Sequence, residues 1–387
     1  MEFMGYRRPD GAAGIRNHVL VIPTVVCANQ VARGISQAVK GSVWVEHQHG
    51  CSQLAPDAAQ TARVFVGHGT NSNVYGVVVV GLGCEVVRAQ EVAAEITRQC
   101  PYKPVHCVII QDAGGSYKAI AAGSIAAHRM VEQASSLARE PIAVSELILG
   151  TECGGSDACS GLAANPALGA ASDLLVDAGG TSIISETPEL IGAEHILAGR
   201  AVSQEVSDRC IATIKAFEDN ANAMGVDMRG GNPTPGNIAG GLSSIEEKSL
   251  GCVYKGGTRP LVDVIGYARK ITKKGLIYMD TPGNDIEQLT GMAAGGCHIC
   301  IFTTGRGTPT GSAIVPTIKV ASNTAMYTKL TDNMDINAGT IVDGEETIQQ
   351  VGQRILAEMI RVASGKLTKA EILGHNDFGI QRIGPTL

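Results

Sequence analysis

Gly150-Thr151-Glu152-Cys153-Gly154-Gly155-Ser156-Asp157-Ala158-Cys159-Ser160-Gly161 joins two segments of opposite character. Upstream, Ile142 to Leu149 is a short apolar run that reads as a buried strand. Downstream, Leu162 to Ala178 is rich in Ala and Leu and reads as a helix. A cysteine, two glycines, a serine and an aspartate therefore occupy a strand-to-helix turn. In an open α/β sheet the carboxyl end of a strand is where ligands bind. The glycines let the backbone approach a ligand, and the helix start offers free N–H groups to an anion. A tight turn around a buried thiol would use the same residues, so the stretch takes its meaning from its surroundings.

Upstream of it the pattern repeats. Val19 to Val26 ends at Cys27 and is followed by a helical stretch to Val39. Ser42 to Glu46 runs into His47-Gln48-His49-Gly50-Cys51, and a helix from Ala55 to Val66 leads to the very apolar Val74 to Val80. That run ends in Gly81-Leu82-Gly83-Cys84-Glu85, then a helix reaches Arg98, a strand covers Val105 to Gln111 and a helix covers Gly123 to Ala138. Apolar runs alternating with helices indicate a parallel sheet covered on both faces. The expected fold class is α/β in two domains: a Rossmann-like sheet over residues 1–139, and a second α/β domain over 140–387 carrying the cysteine turn. The first strand turns through Pro23-Thr24-Val25-Val26-Cys27 without a glycine, which argues against a dinucleotide cofactor.

Cys27, Cys51 and Cys84 each lie just past a predicted strand, and Cys153 repeats the arrangement; parallel strands end on one side of a sheet, so these thiols are placed to converge, Cys153 only if the domains face each other. Cys107, inside a strand, and Cys210, inside a helix, read as small core residues. Eleven cysteines, an odd number, favour free thiols or metal ligands over disulfides. A net charge of −6 without a basic stripe argues against nucleic-acid binding. With no apolar run near the ~18 residues of a membrane span and no signal peptide, a cytoplasmic protein without membrane contact is expected.

Polar clusters recur at the ends of later strands. Thr181 to Ser185 closes with Glu186-Thr187-Pro188, Gly275 to Met279 with Asp280-Thr281-Pro282, and Cys300 to Phe302 with Thr303-Thr304-Gly305-Arg306. Between them lies the turn-rich stretch from Met228 to Gly241, continuing into Glu246-Glu247-Lys248-Ser249-Leu250-Gly251-Cys252; such lengths without periodicity are often functional. Near the N-terminus, Tyr6 to Asn17 is polar and turn-prone; Arg16, beside Asn17, has the planar fork that suits a carboxylate, though a solvated loop would read the same.

Taken together these blocks resemble the altronate/galactarate dehydratase family. Asp10-Gly11 with Gly14-Ile15-Arg16-Asn17, His47 with Gly50-Cys51, Gly81-Leu82-Gly83-Cys84-Glu85 and Cys153-Gly154-Gly155-Ser156-Asp157 carry the match in order. Ser185-Glu186-Thr187-Pro188-Glu189, Lys248-Ser249-Leu250-Gly251, Met279-Asp280-Thr281-Pro282-Gly283 and Phe302-Thr303-Thr304-Gly305-Arg306-Gly307 continue it. Single-chain members resemble this sequence preceded by a small β-rich, SAF-like domain. The resemblance therefore implies the large subunit of a two-component enzyme with a separate small SAF-like partner, and a homo-oligomeric assembly. Ala12-Ala13 departs from the charged residue expected there.

The reaction implied is loss of water from a sugar acid such as altronate or galactarate, leaving a 2-keto-3-deoxy acid. A base must take the C2 proton, fixed donors or a cation must offset the enediolate charge, and the C3 hydroxyl must be made to leave. The family's association with iron implies a site drawn from Cys27, Cys51, Cys84 and Cys153, either an iron–sulfur cluster with one open position or mononuclear iron that also uses His47. His47, Glu85 and Lys248 are the candidate bases. Arg16, Asn17, Ser156, Asp157 and Arg306 are the candidate substrate-binding residues. Two other readings keep the same residues: expulsion of sulfite from 2-hydroxy-3-sulfopropanoate, and a non-catalytic acid-binding subunit.

Overall fold

The computed structural model describes every residue from Met1 to Leu387. A four-stranded sheet takes Ser42–Trp44, His18–Pro23, Val74–Gly81 and Val105–Ile109 in that spatial order, all parallel. Side chains alternate across it as a strand's period of two requires. Val19, Val21, Val78 and Val80 pack on helices Asn29–Ala38 and Ser116–Ser135, whereas Leu20, Ile22, Val77 and Val79 face helices Ala55–Thr70 and Ala89–Gln99.

A second parallel sheet has seven strands in the order Leu261–Ile265, Gly275–Met279, Thr181–Ile184, Ile148–Cys153, Ile299–Thr304, Thr317–Ala321 and Ile336–Asn337. Helices Asn165–Asp177 and Ile348–Ala363 cover one face and helix Asp285–Gly295 the other. The chain starts at the central strand Ile148–Cys153, fills one side, then crosses to Ile299–Thr304 on the other. The order reverses between those two strands, and a crevice at their carboxyl ends is the expected ligand position.

The run expected as one strand from Ile142 to Leu149 is divided. Glu140–Ala143 pairs antiparallel with Glu2–Arg7, Val144–Glu146 makes a 3₁₀ turn, and Ile148–Cys153 enters the large sheet. Cys153 is thus the last residue of a strand, not part of the turn. Nor is the N-terminus a solvated loop: Phe3, Ala13 and Ile15 lie in the core of the large sheet.

The two sheets share a core. Phe65 and Val66 of helix Ala55–Thr70 belong to one apolar cluster with Leu289, Met292 and Ala293 of helix Asp285–Gly295. The helices approach so closely that a Cβ at Gly67 would lie 2.4 Å from the carbonyl oxygen of Ala294. The C-terminal segment runs back over the smaller sheet, where the Asp57 carboxylate accepts the N–H groups of Ile383 and Gly384 at 2.8 and 2.9 Å. No helix is long and apolar enough to cross a membrane.

Candidate active site

The crevice at the reversal holds a cavity of about 260 Å³ whose lining includes Cys153, Ser156, Asp157, Asn165, Lys248 and Cys252. Gly155 takes a φ of +59°, which a side chain resists, and so turns the chain away from the strand end. Asp157 then ties the turn down. Its carboxylate accepts from Ser160 Oγ at 2.9 Å, Ser322 Oγ at 2.7 Å and Asn323 Nδ2 at 2.9 Å. The Cys153 thiol lies 3.0 Å from Ser156 Oγ and accepts from Asn165 Nδ2 at 3.4 Å. Arg306 is exposed at the rim, where Nη1 donates to the Gly236 carbonyl at 2.6 Å and ties the turn-rich stretch to the site.

Behind the cavity wall lies a buried charged cluster. Lys248 Nζ meets Glu189 Oε1 at 2.6 Å and donates to Asn232 Oδ1 at 3.2 Å. Burial works against the Lys248 ammonium, but Glu189 outweighs it and holds its pKa above the ordinary lysine value. Lys255, fully buried, contacts the Glu186 carboxylate and donates to Cys252 Sγ at 2.9 Å. Burial lowers the Lys255 pKa and pushes the Cys252 thiol well up. Glu186 has a φ of +68°, a conformation non-glycine residues adopt only when their surroundings impose it. Ligand-type atoms of Glu186, Glu189 and Cys252 lie within 4.8 Å of one another. The Lys255 ammonium, however, already sits on Glu186 and Cys252, and a metal ion there would have to displace it.

The four proposed metal-ligating cysteines differ in their setting. Cys27, Cys51 and Cys84 are exposed on loops stitched together at the carboxyl end of the smaller sheet: Val26 N–H donates to the His49 carbonyl at 2.9 Å, and Val86 and Val87 donate to that of Gly50 at 3.0 and 3.1 Å. Cys153 is buried in the other sheet, and no thiol of the exposed trio lines its cavity.

Other candidates are placed elsewhere too. Arg16 has all five guanidinium donors engaged: two on Glu371 at 2.7 and 2.9 Å and the rest on the Ile15, Val362 and Lys366 carbonyls. None is left for a substrate carboxylate. Asn17 accepts from Arg8 and donates to the Ala134 carbonyl, at the amino end of its strand, away from the ligand side. Glu85 folds back on its own loop, accepting the N–H groups of Leu82 at 3.1 Å and Gly83 at 2.6 Å, so it acts as a loop brace.

His47 lines a separate cavity of about 200 Å³ with His49, Asn284, Glu287 and Arg382. Its Nε2 is buried without a partner, and burial lowers its pKa to about 3. Of the candidate bases only Lys248 reaches the Cys153 cavity. Sequence reasoning missed Glu152, Glu186, Glu189, Lys255 and Asp285. For Glu186 and Glu189 a signal existed, since they follow a strand end as Ser156 does.

Two family models match the chain. Residues 5–135 match the second domain of D-galactarate dehydratase/altronate hydrolase, and residues 144–386 match the D-galactarate/altronate dehydratase C-terminal model. Altronate dehydratase of Bacillus subtilis is 38% identical, with all of this chain and 78% of that protein aligned. Galactarate dehydratase (L-threo-forming) of Escherichia coli K12 is 38% identical over 94% of this chain and 73% of its own length. The (2R)-sulfolactate sulfo-lyase subunit beta of Chromohalobacter salexigens is 37% identical over 98% of this chain and 97% of that subunit. Matched over both sheets and through the cysteine turn, the chain belongs to the D-galactarate/altronate dehydratase family of lyases.

Proposed function

We propose that the protein is the catalytic chain of a hydro-lyase that removes water from a sugar acid such as altronate or galactarate and leaves a 2-keto-3-deoxy acid. What carries the reading is likeness along the whole chain to dehydratases of those two acids. The cavity beside Cys153 supports it. In this reading Lys248 faces the substrate carboxylate and offsets the enediolate charge, while Ser156 and Asn165 bond the hydroxyls. Asp157 holds the turn in shape, and Arg306 at the rim takes the far end of the acid. Lys248 and Glu189 handle the C2 proton. Lys248 passes one proton back to Glu189 across 2.6 Å and takes the C2 proton in its place, and the pair then returns one proton through Lys248 to the C3 hydroxyl, which leaves as water.

The iron implied by the resemblance suits Cys27, Cys51 and Cys84. Three exposed soft donors on loops pinned together match the ligand chemistry of an iron–sulfur cluster with one open position, which when bound supplies Lewis acidity. The relative named as a subunit beta supports a partner subunit; that the partner is small and SAF-like, and that the assembly is homo-oligomeric, belong to the same proposal.

The test is anaerobic purification with the small partner, followed by keto-acid assay on altronate and galactarate and by iron and sulfide analysis. Cys27→Ser, Cys51→Ser and Cys84→Ser should each lose iron, and Cys153→Ser should keep it. No keto acid from any sugar acid, with iron and partner present, would overturn the reading.

A second reading, release of sulfite from 2-hydroxy-3-sulfopropanoate, is favoured by alignment over 97% of the sulfo-lyase subunit. A second basic group near Arg306 would be expected for it. Lys319 does reach that loop, donating to the Pro309 carbonyl at 2.8 Å, but it is fully buried. Sulfite measured in the same assay decides.

A further inference from the structure

A cavity of about 520 Å³ opens at the seam between the two sheets, away from Cys153. Its wall includes Ile148, the first residue of the strand that ends at Cys153. From residue 148 to residue 153, at about 3.3 Å per residue, those strand ends lie roughly 16 Å apart. The two cavities share no lining residue. Three cations face this second space: Arg63 from helix Ala55–Thr70, and Arg269 and Lys270 from the loop after Leu261–Ile265. Arg63 reaches only uncharged acceptors, the Tyr267 carbonyl at 3.2 Å and Gln60 Oε1 at 3.3 Å. Arg269 and Lys270 are exposed and pair with no acid; Asp263, on the strand before them, is taken by Arg209 and Lys273. The acids in the wall are also committed elsewhere. Asp10 accepts from Ala12 N–H and Tyr102 Oη, each at 3.0 Å, and Glu95 from Arg98 and Gln99 at 2.7 Å.

Helix C-termini favour a cation, and two helices end here, at Thr70 and Gly295. That need is already met. Buried Lys103 donates to the Gly69 and Asn71 carbonyls at 2.8 Å, and Asn71 Nδ2 donates to those of Ala293 and Cys297 at 2.9 and 3.0 Å. The three cations are therefore left over, in a chain whose formal charge is −6. His298, also in the wall, adds a neutral donor. Ile148 N–H donates to its Nδ1 at 3.2 Å, so in the neutral ring the proton sits on Nε2. Burial keeps the ring neutral by lowering its pKa to about 4. The residue is only 5% exposed, and its Nε2–H has no acceptor in the protein, an arrangement that calls for a partner in the cavity. We propose that this cavity binds a small oxyanion of at least two negative charges, a dicarboxylate or a phosphate ester, held by Arg63, Arg269 and Lys270 and oriented by the His298 Nε2–H. Such an anion takes one cation from the smaller-sheet unit and two from the larger, and so ties the units together at the start of the central strand.

This inference does not rest on the dehydratase reading, and its test needs no turnover. The experiment is isothermal titration calorimetry of the whole chain with pyrophosphate and, separately, with succinate, at fixed ionic strength. Thermal unfolding is followed in parallel. Saturable binding of at least one probe is expected, with a raised unfolding midpoint, because the ligand binds only the folded chain. A preference for pyrophosphate assigns a phosphate ester, and a preference for succinate a dicarboxylate. The double variant Arg269→Ser/Lys270→Ser changes two exposed side chains, so its midpoint without ligand should match wild type. Its binding should be weaker by at least about tenfold, since two charge-assisted contacts are lost. In ¹⁵N-histidine spectra the His298 Nε2 signal should move as the anion saturates the wild type. The proposal is overturned if neither probe saturates below about 10 mM, the range of very weak association. It is equally overturned if the double variant binds as wild type does, which would place the anion in another cavity, or if the His298 signal stays unmoved at saturation.

Discussion

Replacing Lys255 by Met removes one charge from the most deeply buried ion pair in the protein. The Lys255 and Glu186 side chains are 0% and 1% exposed. Glu186 Oε1 already lacks a partner, so loss of the ammonium leaves the carboxylate with only the Cys252 thiol, 3.6 Å from Oε2. Methionine fills most of the volume of the lysine stem, so the loss is electrostatic and not that of a cavity. Breaking a buried pair from one side costs about 3–5 kcal/mol. At a urea slope near 3 kcal/mol/M this moves the unfolding midpoint down by roughly 1–2 M. Equilibrium urea unfolding followed by circular dichroism reads the shift. The double variant Lys255→Met/Glu186→Gln should recover a large part of it, because the residual charge is gone. A single variant within about 1 kcal/mol of wild type would refute the view that this pair is held dry and dependent on its partner.

Arg16→Lys should lower stability by about 2–4 kcal/mol, because the guanidinium fork on Glu371 and the three carbonyls is lost, and KM for the sugar acid should not change; a raised KM would restore Arg16 to substrate binding. Gly67→Ala should cost about 1–3 kcal/mol by forcing helix Ala55–Thr70 away from Ala294, read as a lowered urea midpoint. His68 is buried beside the Val64 carbonyl, and burial lowers its pKa to about 4 from 6.5. Since the folded form binds this proton less readily than the unfolded chain, the stability it contributes is present above pH 6.5 and lost as pH falls towards 4. Between pH 7 and pH 5 His68→Gln should therefore lose about 2 kcal/mol less than wild type in urea titrations, and equal losses would contradict a neutral buried imidazole.

Much of the ligand side was legible because a strand end is a local signal. A run such as Val74 to Val80 followed by glycines marks where a parallel strand stops, and parallel strands stop on one side. That reasoning located the Cys153 turn with Ser156 and the loops of Cys27, Cys51 and Cys84; Lys248 came from the turn-rich stretch and the resemblance, and it lies in helix Ile245–Val253. It failed where a charged residue sits within a strand. Lys319 interrupts Thr317–Ala321 and Asp263 interrupts Leu261–Ile265, and both strands went unread. Lys319 is accommodated by the Pro309 carbonyl, and Asp263 by Arg209 and Lys273, all partners outside the strand itself. Glu152 was hidden for the same reason, as an acid in a strand with no local sign that it would be buried.

By itself, the sequence determined the alternation of buried strands and covering helices, and with it the α/β class and the side of each sheet that carries polar residues. Those follow from periodicity, which depends only on neighbours along the chain. Only the tertiary structure decided which strand ends meet. It set Ile148–Cys153 beside Ile299–Thr304, turned Arg16 inward onto Glu371, and buried Cys153 while leaving Cys27, Cys51 and Cys84 exposed. It also brought Glu186, Glu189, Lys248 and Lys255 together as buried ion pairs. Pairing of buried charges depends on strand order and on how closely two helices can approach, and neither is encoded in local spacing.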